Sequence, residues 1–193
     1  LQNHGIDYAI IGEGEATFLH ILNKMAGEQD EALESKYPLG GYAEKDSDNN
    51  VTVYPKFKGM IPMNDIPVPA WDYLDVNKYF ENSGDTVLPI EASRGCPYSC
   101  TFCSTFVSWG KAMRYKPIEQ LIEEFRTLGA RHKNPALHFI DDNLTVKRKW
   151  MVPFLQSVID AKLPLQLYAS NVMVKHLDEE LIDLLVKAGM GSF

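Results

Sequence analysis

Between residues 86 and 193, stretches patterned for strands alternate with stretches patterned for helices, and that alternation restricts the fold more than any other property of the sequence. "TVLPIEASRG" reads as a strand. From Pro117, whose missing N–H suits a helix start, "IEQLIEEFRTLGA" repeats apolar residues at helical spacing and ends near Gly129. "ALHFID" then reads as a strand, "KRKWMVPFLQSVIDA" as a helix despite Pro153, and "PLQLYAS" as a strand. "DEELIDLLVKAG" reads as a helix closed by Gly189, and "MGSF" supplies the first residues of a fourth strand. Strands alternating with helices make βαβ units around a parallel sheet, so an α/β fold is expected.

All three cysteines, Cys96, Cys100 and Cys103, fall in "ASRGCPYSCTFCST" between the first strand and the first long helix. An odd number cannot form a closed disulfide framework, and neighbours this close would enclose only tiny loops. Metal binding is the better reading. Three thiolates can hold zinc with a fourth ligand, or three irons of a [4Fe–4S] cube with the fourth iron open. Zinc needs a further Cys or His nearby, and the closest histidine in sequence, His132, lies beyond a long helical pattern. The cube needs no such partner.

Composition narrows the setting. With 19 Lys and Arg against 26 Asp and Glu, the net charge of −7 argues against a nucleic-acid face. The basic run "KRK" at 147–149 reads as a solvated helix start. No apolar run reaches the roughly 20 residues that cross a bilayer, and no secretion signal opens the sequence. A reducing, cytoplasmic protein with no membrane partner is expected.

"CPYSCTFC" resembles the cluster loop of the radical S-adenosylmethionine (SAM) superfamily, C-x3-C-x-aromatic-C, with Phe102 at the aromatic position. The resemblance implies that Cys96, Cys100 and Cys103 bind a [4Fe–4S] cluster. It also implies that the backbone around Phe102 lies near the adenine of SAM. The family fold is a partial (β/α)6 barrel, of which residues 85–193 would form the N-terminal half, making the chain a fragment of a longer protein without full turnover of its own. Ligands of parallel α/β sheets bind at the carboxyl edge. There, Asp141, Asp142 and Asn143 stand where the family often has Gly-Gly-Glu to receive the SAM amino group, in a form that resembles the cobalamin-associated branch. Capping of the next helix by Asp142 or Asn143 is the plainer alternative. Ser170 and Asn171, after the third strand, are candidates for the ribose or carboxylate of SAM, or simple turn residues. Arg94 either steadies the anionic cluster or forms a surface salt bridge.

SAM chelates the open iron in this family, and one electron cleaves it to methionine and a 5′-deoxyadenosyl radical. A small-molecule substrate and a reducing donor such as flavodoxin or ferredoxin are therefore implied. No side chain is assigned a catalytic role.

Upstream, "GIDYAIIGEGEATFLHILNKMAG" reads as a buried strand, a glycine turn and a helix from about Ala16 to Met25. "DYAIIGEGEATF" looks like the end of the cobalamin-binding Rossmann-like domain of one subclass, with Gly12, Glu13 and Gly14 lining the nucleotide-tail pocket. Residues 1–30 would be the remnant of that domain, too little to enclose cobalamin alone. His4 precedes the strand and is not assigned to cobalt. Residues 31–84 would form a linker containing a β-hairpin around "KDSDNN" and then a connector whose "PVPAWD", at 67–72, resembles the cobalamin-associated proteins. Trp71 and Tyr73 are expected to anchor this connector on the barrel, with substrate stacking as the alternative.

Overall fold

A computed structural model describes residues 5–56, 59–83, 86–132 and 135–192. His4 and the expected boundary between residues 84 and 85 lie outside them. The chain divides into two compact units, Leu1–Ile66 with Ser99–Gly110, and Pro67–Tyr98 with Lys111–Phe193.

The first unit is built on an antiparallel sheet. Strand β1 (Tyr8–Ile10) is followed by helix α1 (Glu15–Ala26), helix α2 (Glu31–Lys36), and the hairpin strands β2 (Tyr42–Lys45) and β3 (Val51–Tyr54). Asp46 organises the hairpin turn, its Oδ1 accepting the amides of Asp48 and Asn50 at 2.9 and 2.8 Å. Tyr42 stacks on Tyr54 with ring centres 4.5 Å apart. Gly27, in the left-handed region at φ 72°, ends α1 by donating to the Lys24 carbonyl.

Strand β1 departs from expectation: it is only half-buried, and it pairs antiparallel with β2 through Tyr8↔Glu44, Ala9↔Ala43 and Ile10↔Tyr42. The hairpin edge satisfies its backbone, as a strand edge must be satisfied. Thr17 Oγ1 donates to the Gly40 carbonyl at 2.8 Å, and His20 bonds the Tyr37 carbonyl, so α1 is tied to the chain entering the hairpin. The first 30 residues and the hairpin thus share one unit around Ala16, Ile61, Met63 and Ile66.

The second unit carries the parallel sheet. Helix α3 (Val76–Ser83) leads into β4 (Val87–Ile90), and β7 (Ala136–Phe139), β8 (Gln166–Ala169) and β9 (Met190–Ser192) follow in the order β4-β7-β8-β9, all parallel. Helices α5 (Ile118–Arg131), α6 (Arg148–Ala161) and α7 (Glu179–Lys187) connect them. Register explains the packing. Ile90, Phe139 and Ala169 form one buried row, and Leu88, Leu137 and Leu167 another. Phe139 meets Phe125 of α5 and Phe154 of α6 edge-on, at 6.2 Å for the Phe125 pair and 5.9 Å for the Phe154 pair, which identifies the helix-covered face. Pro89, His138 and Tyr168 form the row facing the other way. The expected βα units and the start of the fourth strand are all present.

Local details differ. Gly129 does not end its helix but lies within it, where a Cβ would come 3.3 Å from Leu165 Cδ2; close packing, rather than capping, uses the glycine. Pro153 is tolerated because it and Lys149, whose carbonyl it cannot serve, are both exposed. Arg148 is not simply solvated: it pairs with Asp178 and Glu180. Trp71 packs on the core, but Tyr73 is 91% exposed and anchors nothing, because the single 3-10 turn at 71–73 directs the two rings differently. Among the described residues no helix is long and apolar enough to cross a membrane.

Candidate metal and cofactor site

The cysteine segment leaves the second unit through a short strand and returns through another. Beyond β4, β5 (Ser93–Arg94) pairs antiparallel with β6 (Arg114–Tyr115), matching Ser93 with Tyr115 and Arg94 with Arg114. The Lys116 amide adds a bond to the Ala92 carbonyl at 2.8 Å. Gly95 follows at φ 94°, a conformation natural to glycine, and turns the chain into Cys96. The loop that carries the cysteines is therefore stapled at both ends.

Arg94 is buried rather than on the surface, and its Nε donates to Glu91 at 2.8 Å. A second buried pair joins Lys116, just after β6, to Glu124 of α5 at 3.4 Å. Trp150 Nε1 donates to the Lys116 carbonyl at 3.2 Å, so α6 supports the same strand.

Asp141, 2% exposed just after β7, turns inward. Its carboxylate accepts the Ala92 amide at 3.1 Å and the Ser93 hydroxyl. Burial pushes its pKa up to about 6, against the lowering effect of those two bonds. Burial, with the Asp141 charge nearby, pushes Tyr115 up to about 12. Asn171 spans the next gap: its Nδ2 donates to the Asp141 carbonyl at 2.9 Å and its own carbonyl accepts the Leu144 amide. Asp142 is half-buried and Asn143 buried. Neither caps α6, which begins after Lys147 without a side-chain cap. Ser170 is exposed and bonds His138 Nε2 at 2.7 Å. Sequence patterning had no means of singling out Ser93 or His138, since neither belongs to a spaced motif.

A third connection reaches the segment between the first two cysteines. Tyr98 Oη lies 2.7 Å from His176 Nε2, and His176 Nδ1 lies 3.3 Å from Thr145 Oγ1, which donates to Asn143 Oδ1 at 3.4 Å. The Lys175 ammonium sits 3.9 Å from the Tyr98 ring centre.

Cys100, Phe102 and Cys103 belong to the first unit. A turn closes with the Cys103 amide on the Cys100 carbonyl at 3.1 Å, and Cys103 Sγ donates to Thr105 Oγ1 at 3.3 Å. The one-turn helix α4 (Thr105–Ser108) follows. Phe102 projects its ring outward, 91% exposed. In the same unit, Gly12 at φ 93° opens the turn before α1, and Glu13 accepts the Ile61 amide at 3.2 Å. Gly14 is the residue before the helix, and its carbonyl accepts the Phe18 amide. A pocket of about 220 Å³ there is lined by Ile11, Glu13, Lys56, Met60, Val107 and Gly110, among others. Lys56 Nζ donates to the Val107 carbonyl at 3.2 Å.

The donor set fits a cluster better than zinc. None of the three cysteines is in a disulfide, Cys100 being exposed and the others half-buried. Among the described residues, no three His, Cys, Asp or Glu side chains already converge on a cation-sized space. The described histidines are engaged elsewhere: His20 with Tyr37, His138 with Ser170, His176 with Tyr98, and His132 with Asn77 and the edge of Phe80. Three sulfur donors, with each described histidine already hydrogen-bonded to another group, suit a group that draws its remaining coordination from something other than the protein.

Residues 90–193 match the family profile described as the radical SAM superfamily, and the chain belongs to that superfamily. It is 27% identical over 217 residues to the cytidylyl-2-hydroxyethylphosphonate methyltransferase of Streptomyces wedmorensis, covering 98% of this chain and 40% of the relative. It is 27% identical over 188 residues to the anaerobic magnesium-protoporphyrin IX monomethyl ester cyclase of Rubrivivax gelatinosus, covering 96% of this chain and 33% of the relative. Among solved structures it resembles the radical SAM methyltransferase TsrM of Kitasatospora setae, whose structure with cobalamin and a [4Fe–4S] cluster bound superposes with a TM-score of 0.70. That match has 16% identity and covers 96% of this chain and 37% of TsrM. The likeness establishes the fold, a portion of a radical SAM barrel enzyme with its preceding segment. The chain spans two-fifths or less of the length of each of these proteins.

Proposed function

We propose that this chain is the cluster- and SAM-binding portion of a cobalamin-dependent radical SAM methyltransferase acting on a small molecule in the cytoplasm. The carrying observation is the loop of three cysteines outside any disulfide, whose root is stapled by β5 and β6 beyond the carboxyl end of β4. Similarity to a named methyltransferase over nearly the whole chain supports the reaction class. Ring closure is a second reading, supported by the similarity to the cyclase.

Cys96, Cys100 and Cys103 would hold the [4Fe–4S] cluster, which, when bound with SAM and reduced by a donor such as flavodoxin or ferredoxin, supplies the one-electron chemistry. Asp142, Asn143, Ser170 and Asn171 lie on the segments after β7 and β8, where they offer polar contacts to SAM, and the backbone near Phe102 offers contacts to its adenine. Asp141 takes part through position, since its carboxylate is already engaged by Ala92 and Ser93. Gly12, Glu13 and Gly14 would line the cobalamin tail in the whole protein. The residues' work is to bind, orient and exclude water, leaving the difficult step to the cofactor.

Anaerobic reconstitution with iron and sulfide tests this reading. The expected product is a brown protein with about four irons, whose reduced electron paramagnetic resonance (EPR) spectrum changes when SAM is added. A colourless protein with stoichiometric zinc, or a cluster spectrum indifferent to SAM, would overturn it.

A further inference from the structure

The peptide between Cys96 and Cys100 is not held by the cysteines alone. Tyr98, midway between them and the last residue of this stretch of the second unit, meets two consecutive residues of the turn at 174–176 that follows β8 in the same unit. Both contacts are side-chain specific. The Tyr98 hydroxyl bonds His176 Nε2 at 2.7 Å, and the Lys175 ammonium lies 3.9 Å from the ring centre. Behind His176 the bonds continue through Thr145 to Asn143. A neutral imidazole has one donor and one acceptor, so the chain is satisfied when Tyr98 donates to Nε2 and Nδ1–H donates to Thr145. Burial, and then the Lys175 charge, hold the His176 pKa below its ordinary value, which favours that neutral ring. Lys175 is exposed, and its ammonium rests on a π face two residues from each of two cysteines.

We propose that Tyr98, His176 and Lys175 form a clasp that fixes the Cys96–Tyr98 peptide against the segments after β7 and β8 and places a positive charge beside the root of the cluster loop, raising the cluster's reduction potential. His176 is a positioning residue, acting through Tyr98, and Lys175 is the electrostatic part. Reduction adds one electron, delivered by a low-potential one-electron donor, and so adds one negative charge. A cation held nearby stabilises the reduced form more than the oxidised form, and the effect falls with distance and screening. The inference rests on the reading that the three thiols hold a cluster.

Two measurements test it. In the metal-free chain, hydrogen exchange of the Cys96 and Tyr98 amides reads the clasp, and His176→Ala or Tyr98→Phe should accelerate it at least tenfold while distant amides remain unchanged. In the reconstituted chain, an EPR-monitored titration with dithionite reads the midpoint potential. Lys175→Gln should shift it to more negative values, and Lys175→Arg should retain it. Unchanged exchange in both clasp variants, or an unchanged midpoint in Lys175→Gln with a full complement of iron, overturns the proposal and leaves the cluster reading standing. A wild-type chain that takes up no iron overturns both.

Discussion

Asp141, at the carboxyl end of β7, accepts the hydroxyl of Ser93, three residues before Cys96. A buried carboxylate thereby ties the second strand of the parallel sheet to the root of the cysteine loop. The cost is desolvation, and it sets a pH dependence.

The Asp141 carboxyl titrates at about 6 in the fold, against roughly 4 in an unfolded chain. The folded state binds the proton more tightly, so this group's contribution is fully present below pH 4 and is lost as pH rises through 6. The loss is about 3 kcal/mol. Asp141→Asn keeps an acceptor for the Ala92 amide and removes the charge. Urea denaturation of both proteins from pH 4 to 7 should show the variant gaining on the wild type by that amount, and parallel curves would disprove the assignment.

Lys116 and Glu124 bury both charges of one pair. Removing one partner strands the other, at a cost of about 3–5 kcal/mol. Glu124→Ala should therefore lower the denaturation midpoint sharply, while replacing both residues together with apolar ones of similar size should recover much of the loss. A double variant as unstable as the single one would contradict this account.

Phe139 joins α5 and α6 to the sheet through its contacts with Phe125 and Phe154. Phe139→Ala should cost about 3–5 kcal/mol, a large share of the roughly 5–15 kcal/mol that holds a domain together. The check is a thermal melt followed by circular dichroism.

The three thiols bear little of the metal-free fold, being partly or fully exposed. Replacing all three with serine should change stability by less than about 0.5 kcal/mol each and abolish iron uptake. Iron retained by the triple variant would place the metal elsewhere.

Much of this was legible in the sequence, for a physical reason. The βα units carry their own periodicity, and each strand is flanked by a helix whose apolar stripe must cover it, so local pattern and tertiary structure agree. Where partners are distant, pattern was silent. Strand β1 reads like any apolar strand, and nothing in it announces an antiparallel partner at Tyr42–Lys45. Gly129 looks like a helix end because the residue touching it, Leu165, comes 36 positions later. Tyr73 and Trp71 share a motif but not an environment. At the site, cysteine spacing identified the loop, whereas Ser93, Tyr98 and His176 gain meaning only through residues about 50 to 80 positions away.

Pro89 in β4 has a further consequence. The carbonyls of Thr86 and Ile90 both face β7, so the alternate residues, Pro89 among them, direct their backbone groups toward the outer edge. There proline has no hydrogen to offer, and an incoming strand would meet a missing rung. Adding a strand beside β4 would therefore forfeit a hydrogen bond at Pro89 that adding one beside Met190–Ser192 would not.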